Sequence, residues 1–347
     1  MRILFYQNPP LINSTLLTWT LCEELRLLGH QVDYCKPKDF YRYDWIHGAG
    51  NDAPGALSYA RKVGAKCHIH LEGVAYWRIG YEDAINWGYD RNHTGTEIEM
   101  FRTQYKSWMS AAYEADSCTV AGPKQVGAIE WLFEGNKLPN CHLMHCGVDA
   151  RYALSLPDYP KQNYMITVSR LEPNKKVFKI AEALAILKQS CIDIPGWMIV
   201  GYGTQEQENR LLEFCRENKI SVAIKQCFGA EKWYWIKRAK LMLSGWSGIP
   251  PEEAIICKAP CLSFTNVDIN SVFEDTLWYA DDEEEYAKMV KWLLENMQSN
   301  LEIIYNKCEY AFLRLIDKLR PFDKELYAST QERVAKQYEQ IFMEGFK

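Results

Sequence analysis

Apolar residues occur in two alternating patterns along the first part of the chain. Short continuous runs predict strands at 2–6, 31–34, 44–47, 65–71, 117–121 and 142–145. Apolar residues at helical spacing predict helices at 16–28, 56–63 and 97–115. Strands that alternate with amphipathic helices predict a parallel sheet that is covered by helices on both faces.

The alternation stops at 151–163, where two prolines and weak periodicity predict a linker. Strands are then predicted at 164–168, 197–200, 221–224, 240–243 and 260–263, and helices at 176–189, 205–217, 231–239 and 251–258. A last helix is predicted near 329–342, with Ser329 as its cap. The fold class is therefore α/β, with two Rossmann-like domains at 1–155 and 160–328. Because ligands of such sheets bind beyond the carboxyl ends of the strands, we expect the site in the cleft between the domains.

Composition narrows the class of protein. The net charge is −5 and no basic block stands out, which argues against a nucleic-acid partner. The twelve cysteines accompany no secretory signal, and Cys257 and Cys261 lack the second pair that a zinc site needs. No apolar run has the length of a membrane span. These features predict a cytoplasmic protein.

The stretch from 166 to 183, ITVSRLEPNKKVFKIAEA, carries the most informative charges. A predicted strand ends at Ser169, Arg170 follows, and Lys175 begins the next helix. Cations at a helix N-terminus are unfavourable unless they serve an anion, so this junction favours a phosphate site over a solvated charged turn.

Two further stretches belong to the same predicted domain. Residues 248–260, GIPPEEAIICKAP, place Pro250 and Glu253 in the first turn of a helix, where a carboxylate either complements the helix dipole or binds a ligand. Gly201 and Gly203 end a strand and allow a tight turn or a close backbone approach to a ligand.

In the first domain, His68 and His70 lie on the same face of a strand, just before Glu72. A metal site would need a third ligand that is not evident, so structural histidines are the alternative. The aromatic loop at 74–89, which includes Trp77, suits either a sugar ring or simple surface packing.

Taken in order, these segments resemble the retaining glycosyltransferases of family 4, which have the GT-B fold of two Rossmann-like domains that face each other across a cleft. SRLEPNKK is similar to the family signature G-R-L-x-P-x-K-G, with Ser169 and Lys176 in place of the glycines. The resemblance implies that Arg170 and Lys175 bind the donor diphosphate and stabilise the leaving group. GIPPEEA is similar to the end of the family's E-x7-E motif, which implies that Glu253 holds the donor ribose. The first motif glutamate falls on Gly245, next to a loop that is shorter than usual.

The resemblance also implies roles for the remaining candidates. Ser169, Gly201, Gly203, Phe228 and Pro250 are assigned to the donor side. His70 faces the donor sugar, where it orients the sugar or shuttles a proton. On the acceptor side are Asn8, Glu72 and Trp77, and the C-terminal helix at 329–347 is expected to pack back on the first domain.

The implied function is transfer of a sugar from a UDP- or GDP-linked donor to a glycan, a lipid-linked acceptor or a small molecule, with retention of configuration. We expect no cofactor and no essential metal, because Asp281 and Asp282 are explained as the acidic start of a helix. A peripheral membrane contact and the oligomeric state remain open. Two alternatives stay open as well: a GT-B protein that binds nucleotide sugars or glycans without transfer, and a GT-B epimerase or phosphorylase.

Overall fold

The computed structural model describes residues 1–7, 15–35, 37, 42–71, 106–120, 137–138, 140–144, 147–245, 249–265, 277–299, 301–315 and 331–345. These residues form two compact units. The first contains the described residues up to Asp149 together with 331–345, and the second contains those from Ala150 to 315.

The first unit holds a six-stranded parallel sheet of order β2-β1-β3-β4-β5-β6. Its strands are β1 Arg2–Tyr6, β2 Gln31–Cys35, β3 Trp45–Ala49, β4 Lys66–Leu71, β5 Ser117–Val120 and β6 Cys141–Leu143. Its helices are α1 Thr15–Leu27, α2 Ala53–Val63 and α10 Gln331–Glu344, and residues 106–114 are helical as well.

The second unit holds another six-stranded parallel sheet, of order β12-β11-β10-β7-β8-β9. Its strands are β7 Tyr164–Val168, β8 Gly196–Val200, β9 Val222–Lys225, β10 Leu241–Ser244, β11 Cys261–Phe264 and β12 Trp278–Ala280. Its helices are α3 Ala150–Ser155, α4 Val177–Gln189, α5 Gln205–Glu217, α6 Gly229–Arg238, α7 Ile249–Ile256, α8 Glu283–Ser299 and α9 Leu301–Leu315. The predicted α/β class with two Rossmann-like sheets is confirmed.

Each sheet is buried on both faces. In the first unit, α2 and the helical segment at 106–114 cover one face, while α1 and α10 cover the other. Trp45 is fully buried under α10, where its Nε1 donates to the carbonyl of Phe342 at 3.1 Å. The continuous apolar runs that predict the strands follow from this two-sided burial.

Three elements of the second unit differ from the prediction or go beyond it. The predicted linker contains the short helix α3, and the buried Lys237 ammonium donates to the carbonyl of Leu156 just after it at 2.7 Å. The strand β12 and the helix α9 were not predicted. Asp282 does cap the acidic start of α8, because its Oδ1 accepts from the Glu285 N–H at 2.8 Å.

No helix in the described ranges is both long and apolar enough to cross a membrane.

Candidate functional site

The order of the second sheet fixes where its ligand binds. Strand β7 lies between β10 and β8, and the chain leaves β7 toward β8 on one side and later returns to β10 on the other. Such a reversal is a topological switch point, and a crevice opens there beyond the carboxyl ends of the strands. The segments that follow β7, β8 and β10 meet at this edge of the sheet.

The segment after β7 forms a tight turn into α4. Residues Pro173–Lys175 make one turn of 3-10 helix, and Lys176 follows in the left-handed region with φ 53°. A lysine accepts this conformation at some cost, and the glycine that the family has at this position would adopt it freely. The side chain of the N-cap residue, Lys176, makes no capping hydrogen bond to α4, so an anion could serve as the acceptor for the N–H groups of its first turn.

Two cations stand beside this helix start. The Arg170 guanidinium is about half exposed and pairs with Glu172, with 2.8 Å between Nη1 and Oε1. Burial lowers the pKa of Lys175, the Arg170 charge lowers it further, and Glu172 acts in the opposite direction. Because a desolvated cation beside a like charge is stabilised by an incoming anion, this turn favours a bound phosphate.

Glycines at the ends of the neighbouring strands let the backbone close around the turn. A β-carbon at Gly201, after β8, would overlap the Ser169 carbonyl oxygen and lie 2.7 Å from its carbonyl carbon. A β-carbon at Gly203 would lie 2.8 Å from that of Leu171. Real β-carbons essentially never come this close to another heavy atom, so both positions need glycine.

Gly245, after β10, is restricted in the same way. A β-carbon there would overlap the Lys175 carbonyl oxygen and would lie 3.0 Å from the carbonyl carbons of both Lys175 and Lys176. No side chain fits unless the turn that carries Lys175 moves. At the position that aligns with the first motif glutamate, the packed backbone therefore leaves no room for a side chain.

Helix α7 brings a buried carboxylate to the same half of the molecule. Glu253 is only 3% exposed, and its Oε1 forms an ion pair with the Lys232 ammonium of α6. Its Oε2 is buried and accepts no hydrogen bond from any residue in the described ranges. Pro250 lies in the first turn of α7, as predicted from the two prolines. Phe228 precedes α6 and is 44% exposed.

The first unit carries a separate polar cluster under α10. His70 is buried on β4, and its Nδ1 lies 2.8 Å from Oγ1 of Thr119 on the adjacent β5. The same oxygen lies 3.0 Å from Nε2 of His68 and 3.4 Å from the Tyr338 hydroxyl. Because a threonine hydroxyl carries one proton, at least one of the two ring nitrogens must be the donor to it.

Two buried histidines in this region, His47 and His68, have lowered pKa values. Burial, and secondarily the charge of His70, lowers the pKa of His47 to about 3. Burial followed by the neighbouring histidines holds the pKa of His68 well below its usual value. The rings of His47 and His68 stack at 5.2 Å, and Tyr338 meets both edge-on. Aromatic packing and hydrogen bonds connect these side chains, and the described residues contain no group of three or more potential metal ligands.

Solved structures share this fold over almost the whole chain. HepE from Anabaena, in complex with UDP-glucose, aligns with a TM-score of 0.68 and 14% identity, over 99% of this chain and 100% of that one. Sucrose-phosphate synthase from Thermosynechococcus elongatus aligns with a TM-score of 0.67 and 15% identity, over 99% of each chain. A glycosyltransferase from Rickettsia africae aligns with a TM-score of 0.67 and 13% identity, over 100% of this chain and 98% of that one. No curated protein sequence matches the chain.

The sequence of the second unit also matches a family model. Residues 154–310 match the model of the family described as "Glycosyl transferases group 1". The second unit is therefore similar to that family over these residues. The predicted GT-B fold is confirmed, and so is the predicted function at its general level, glycosyl transfer from a nucleotide-sugar donor.

In this glycosyltransferase the predicted donor residues lie in two groups. Ser169, Arg170, Lys175, Gly201 and Gly203 come together around the ends of β7 and β8. The other three, Phe228, Pro250 and Glu253, lie on the segments that begin α6 and α7. His70 belongs to the first unit. Asn8, Glu72 and Trp77 lie outside the described residues, so their acceptor roles stay predictions.

The structure adds contacts that sequence patterns do not reveal. Glu172 pairs with Arg170, Lys232 pairs with Glu253, and Thr119 joins His68 to His70. Only the contact to Thr119 had a usable signal, because strand pairing sets Thr119 beside His70. Lys232 is 21 residues from Glu253, and only the packing of α6 against α7 brings them together.

Proposed function

We propose that this glycosyltransferase moves a hexose from a uridine diphosphate sugar to an acceptor hydroxyl, with retention of the anomeric configuration. Uridine is favoured because HepE binds UDP and UDP-glucose in its structures, and TarM from S. aureus binds UDP. The acceptor, a glycan, a lipid-linked sugar or a small molecule, is expected to bind the first domain.

The observation that carries the proposal is the turn between β7 and α4. Arg170 and Lys175 interact electrostatically beside the start of α4, and the two side chains and the helix start would each contribute a different interaction to a diphosphate. Arg170 offers a planar fork of donors, and Lys175 offers a partly desolvated charge. As the bond between the anomeric carbon and the phosphate oxygen breaks, negative charge grows on that oxygen and the two cations stabilise it.

Two further residues complete the proposed mechanism. Glu253 accepts hydrogen bonds from the ribose hydroxyls. His70 orients the donor sugar or moves a proton near the acceptor, and the hydroxyl of Thr119 holds its ring in place. We expect no cofactor or essential metal, and we expect a cytoplasmic location.

The test is a binding titration with UDP, GDP and ADP, by calorimetry, on the purified protein. Arg170→Ala and Lys175→Met are compared with the matched control Lys188→Met. Lys188 lies near the other end of α4 and pairs with Asp193 at 3.2 Å, so its substitution removes the same charge from the same helix. A charge-assisted hydrogen bond contributes about 1.5–3 kcal/mol, so each site variant should weaken UDP binding by roughly 10- to 150-fold. The control should bind as the wild type does.

Equal UDP affinity in the wild type and both site variants would overturn the proposed diphosphate site. Tighter binding of GDP or ADP than of UDP would overturn the choice of uridine. Transfer is then measured as acceptor-dependent release of UDP from UDP-glucose, and the anomeric configuration of the product is read by NMR. An inverted product would contradict retention.

A further inference from the structure

The buried ion pair between α6 and α7 has a role beyond packing. Glu253 is almost completely enclosed, and a carboxylate in that position is costly unless its charge is compensated. Lys232 supplies that compensation on Oε1, and its own side chain is about one-quarter exposed. The ammonium also lies 5.1 Å from the centre of the Trp233 ring, which restricts where it can sit.

The second oxygen of the Glu253 carboxylate, Oε2, is available to a ligand. Oε2 is buried and accepts no hydrogen bond from the residues that the structure describes. A buried charged acceptor without a hydrogen bond destabilises the protein, and a hydrogen-bond donor from a ligand removes that cost. Because Lys232 binds Oε1 and restricts the plane of the carboxylate, Oε2 is the oxygen best placed to accept from an incoming hydroxyl.

We propose that Lys232 is a positioning residue for donor binding: by holding Oε1 of Glu253, it fixes the carboxylate so that Oε2 is aimed at the ribose hydroxyls of the nucleotide. This rests on the proposed role of Glu253. It makes Lys232 a determinant of the preference for ribose over a sugar that lacks those hydroxyls. The ribose lies away from the reacting carbon, so loss of Lys232 weakens ground-state and transition-state binding alike.

The experiment measures the affinities of UDP, GDP and ADP and of their 2′,3′-dideoxy counterparts for the wild type, Glu253→Gln, Lys232→Met and Lys232→Arg. The matched control is Lys225→Met. Lys225 is also a lysine near α6, and it pairs with Glu231 at 2.6 Å on the surface, without contact to Glu253. For each protein the readout is the ratio of dideoxy to ribose dissociation constants for the nucleotide that binds.

We expect a ratio of roughly 10- to 150-fold in the wild type and in Lys225→Met, which is the effect of a hydrogen bond to a charged group. In Lys232→Met the ratio should fall below about threefold, and Lys232→Arg should restore most of it. In turnover assays Lys232→Met should raise the donor KM with little change in kcat.

Two failures are distinguishable. If the ratio is near one in the wild type, or if Glu253→Gln keeps the wild-type ratio, the proposed contact of Glu253 with the ribose is wrong. This inference is then wrong as well. If Glu253→Gln loses the ratio but a folded Lys232→Met keeps it, the role of Lys232 alone is overturned. If Lys232→Met does not fold, Lys232→Ala, which removes the donor to Oε1 with a smaller side chain that favours helix, replaces it. An unchanged ratio in folded Lys232→Ala overturns the inference in the same way.

Discussion

Gly245→Ala adds a single methyl group at the point where β10 meets the turn that carries Lys175. The new carbon would overlap the Lys175 carbonyl oxygen and lie 3.0 Å from two carbonyl carbons. All three atoms belong to the backbone, so no side-chain rotation relieves the contact, and the turn itself must move. Left-handed strain plays no part, because Gly245 is not among the glycines with positive φ.

The magnitude follows from two opposing effects. Overpacking of this kind costs about 1–3 kcal/mol or more. Replacing glycine by alanine stiffens the unfolded chain and returns about 0.4–1 kcal/mol. The net loss of unfolding free energy should therefore be about 1–2 kcal/mol, which lowers the melting temperature by about 2–4 °C per kcal/mol in a domain of this size. Displacement of Lys175 should also weaken UDP binding by about tenfold or more.

The assay pairs thermal unfolding with a UDP titration, and Gly196→Ala on β8 is the control. A β-carbon at Gly196 would meet nothing nearer than the Ser221 hydroxyl at 3.8 Å, so both readouts should stay near wild type. Gly245→Glu, which places the family's glutamate in the aligned position, should be at least as damaging as Gly245→Ala. Unchanged stability and UDP affinity in Gly245→Ala, or improved donor binding in Gly245→Glu, would refute the packing argument.

Two further predictions concern pH and metals. The folded-state pKa of His47 is about 3 and that of His68 is also low, so below about pH 6.5 the unfolded chain binds protons that the folded protein does not. Stability should therefore fall from pH 7 to pH 5, with about 2 kcal/mol of the loss due to His47, as measured by urea unfolding. His47→Gln should reduce that loss by about 2 kcal/mol, and an equal loss in both proteins would contradict the assignment. Finally, an excess of EDTA should leave transfer rates unchanged, whereas activity that returns only with added Mg²⁺ or Mn²⁺ would show that a metal is required.

Local sequence patterns predict much of the fold. The strands of both sheets, apart from β12, are short apolar runs that any two-sided burial requires, and the helices between them have clear periodicity. The strand β12 and the helix α9 were missed. Strand β12 has only three residues, and such a run is too short for its periodicity to stand out in the sequence. The predicted linker proved partly helical because the Lys237 ammonium and a neighbouring helix hold it from far along the chain.

The sequence by itself determined the class of protein and the order of its elements, and it predicted a group of donor residues that follow one another along the chain. Ser169, Arg170 and Lys175 could be identified because a strand end, a turn and a helix start are contiguous features. Only the tertiary structure decided which residues from separate elements contact the candidate site residues. The pairing of Lys232 with Glu253, the packing of Gly245 against Lys175 and the bridge from Thr119 to His70 each join separate elements. Such contacts depend on how helices and strands pack against one another, and the periodicity of a single segment does not determine that packing.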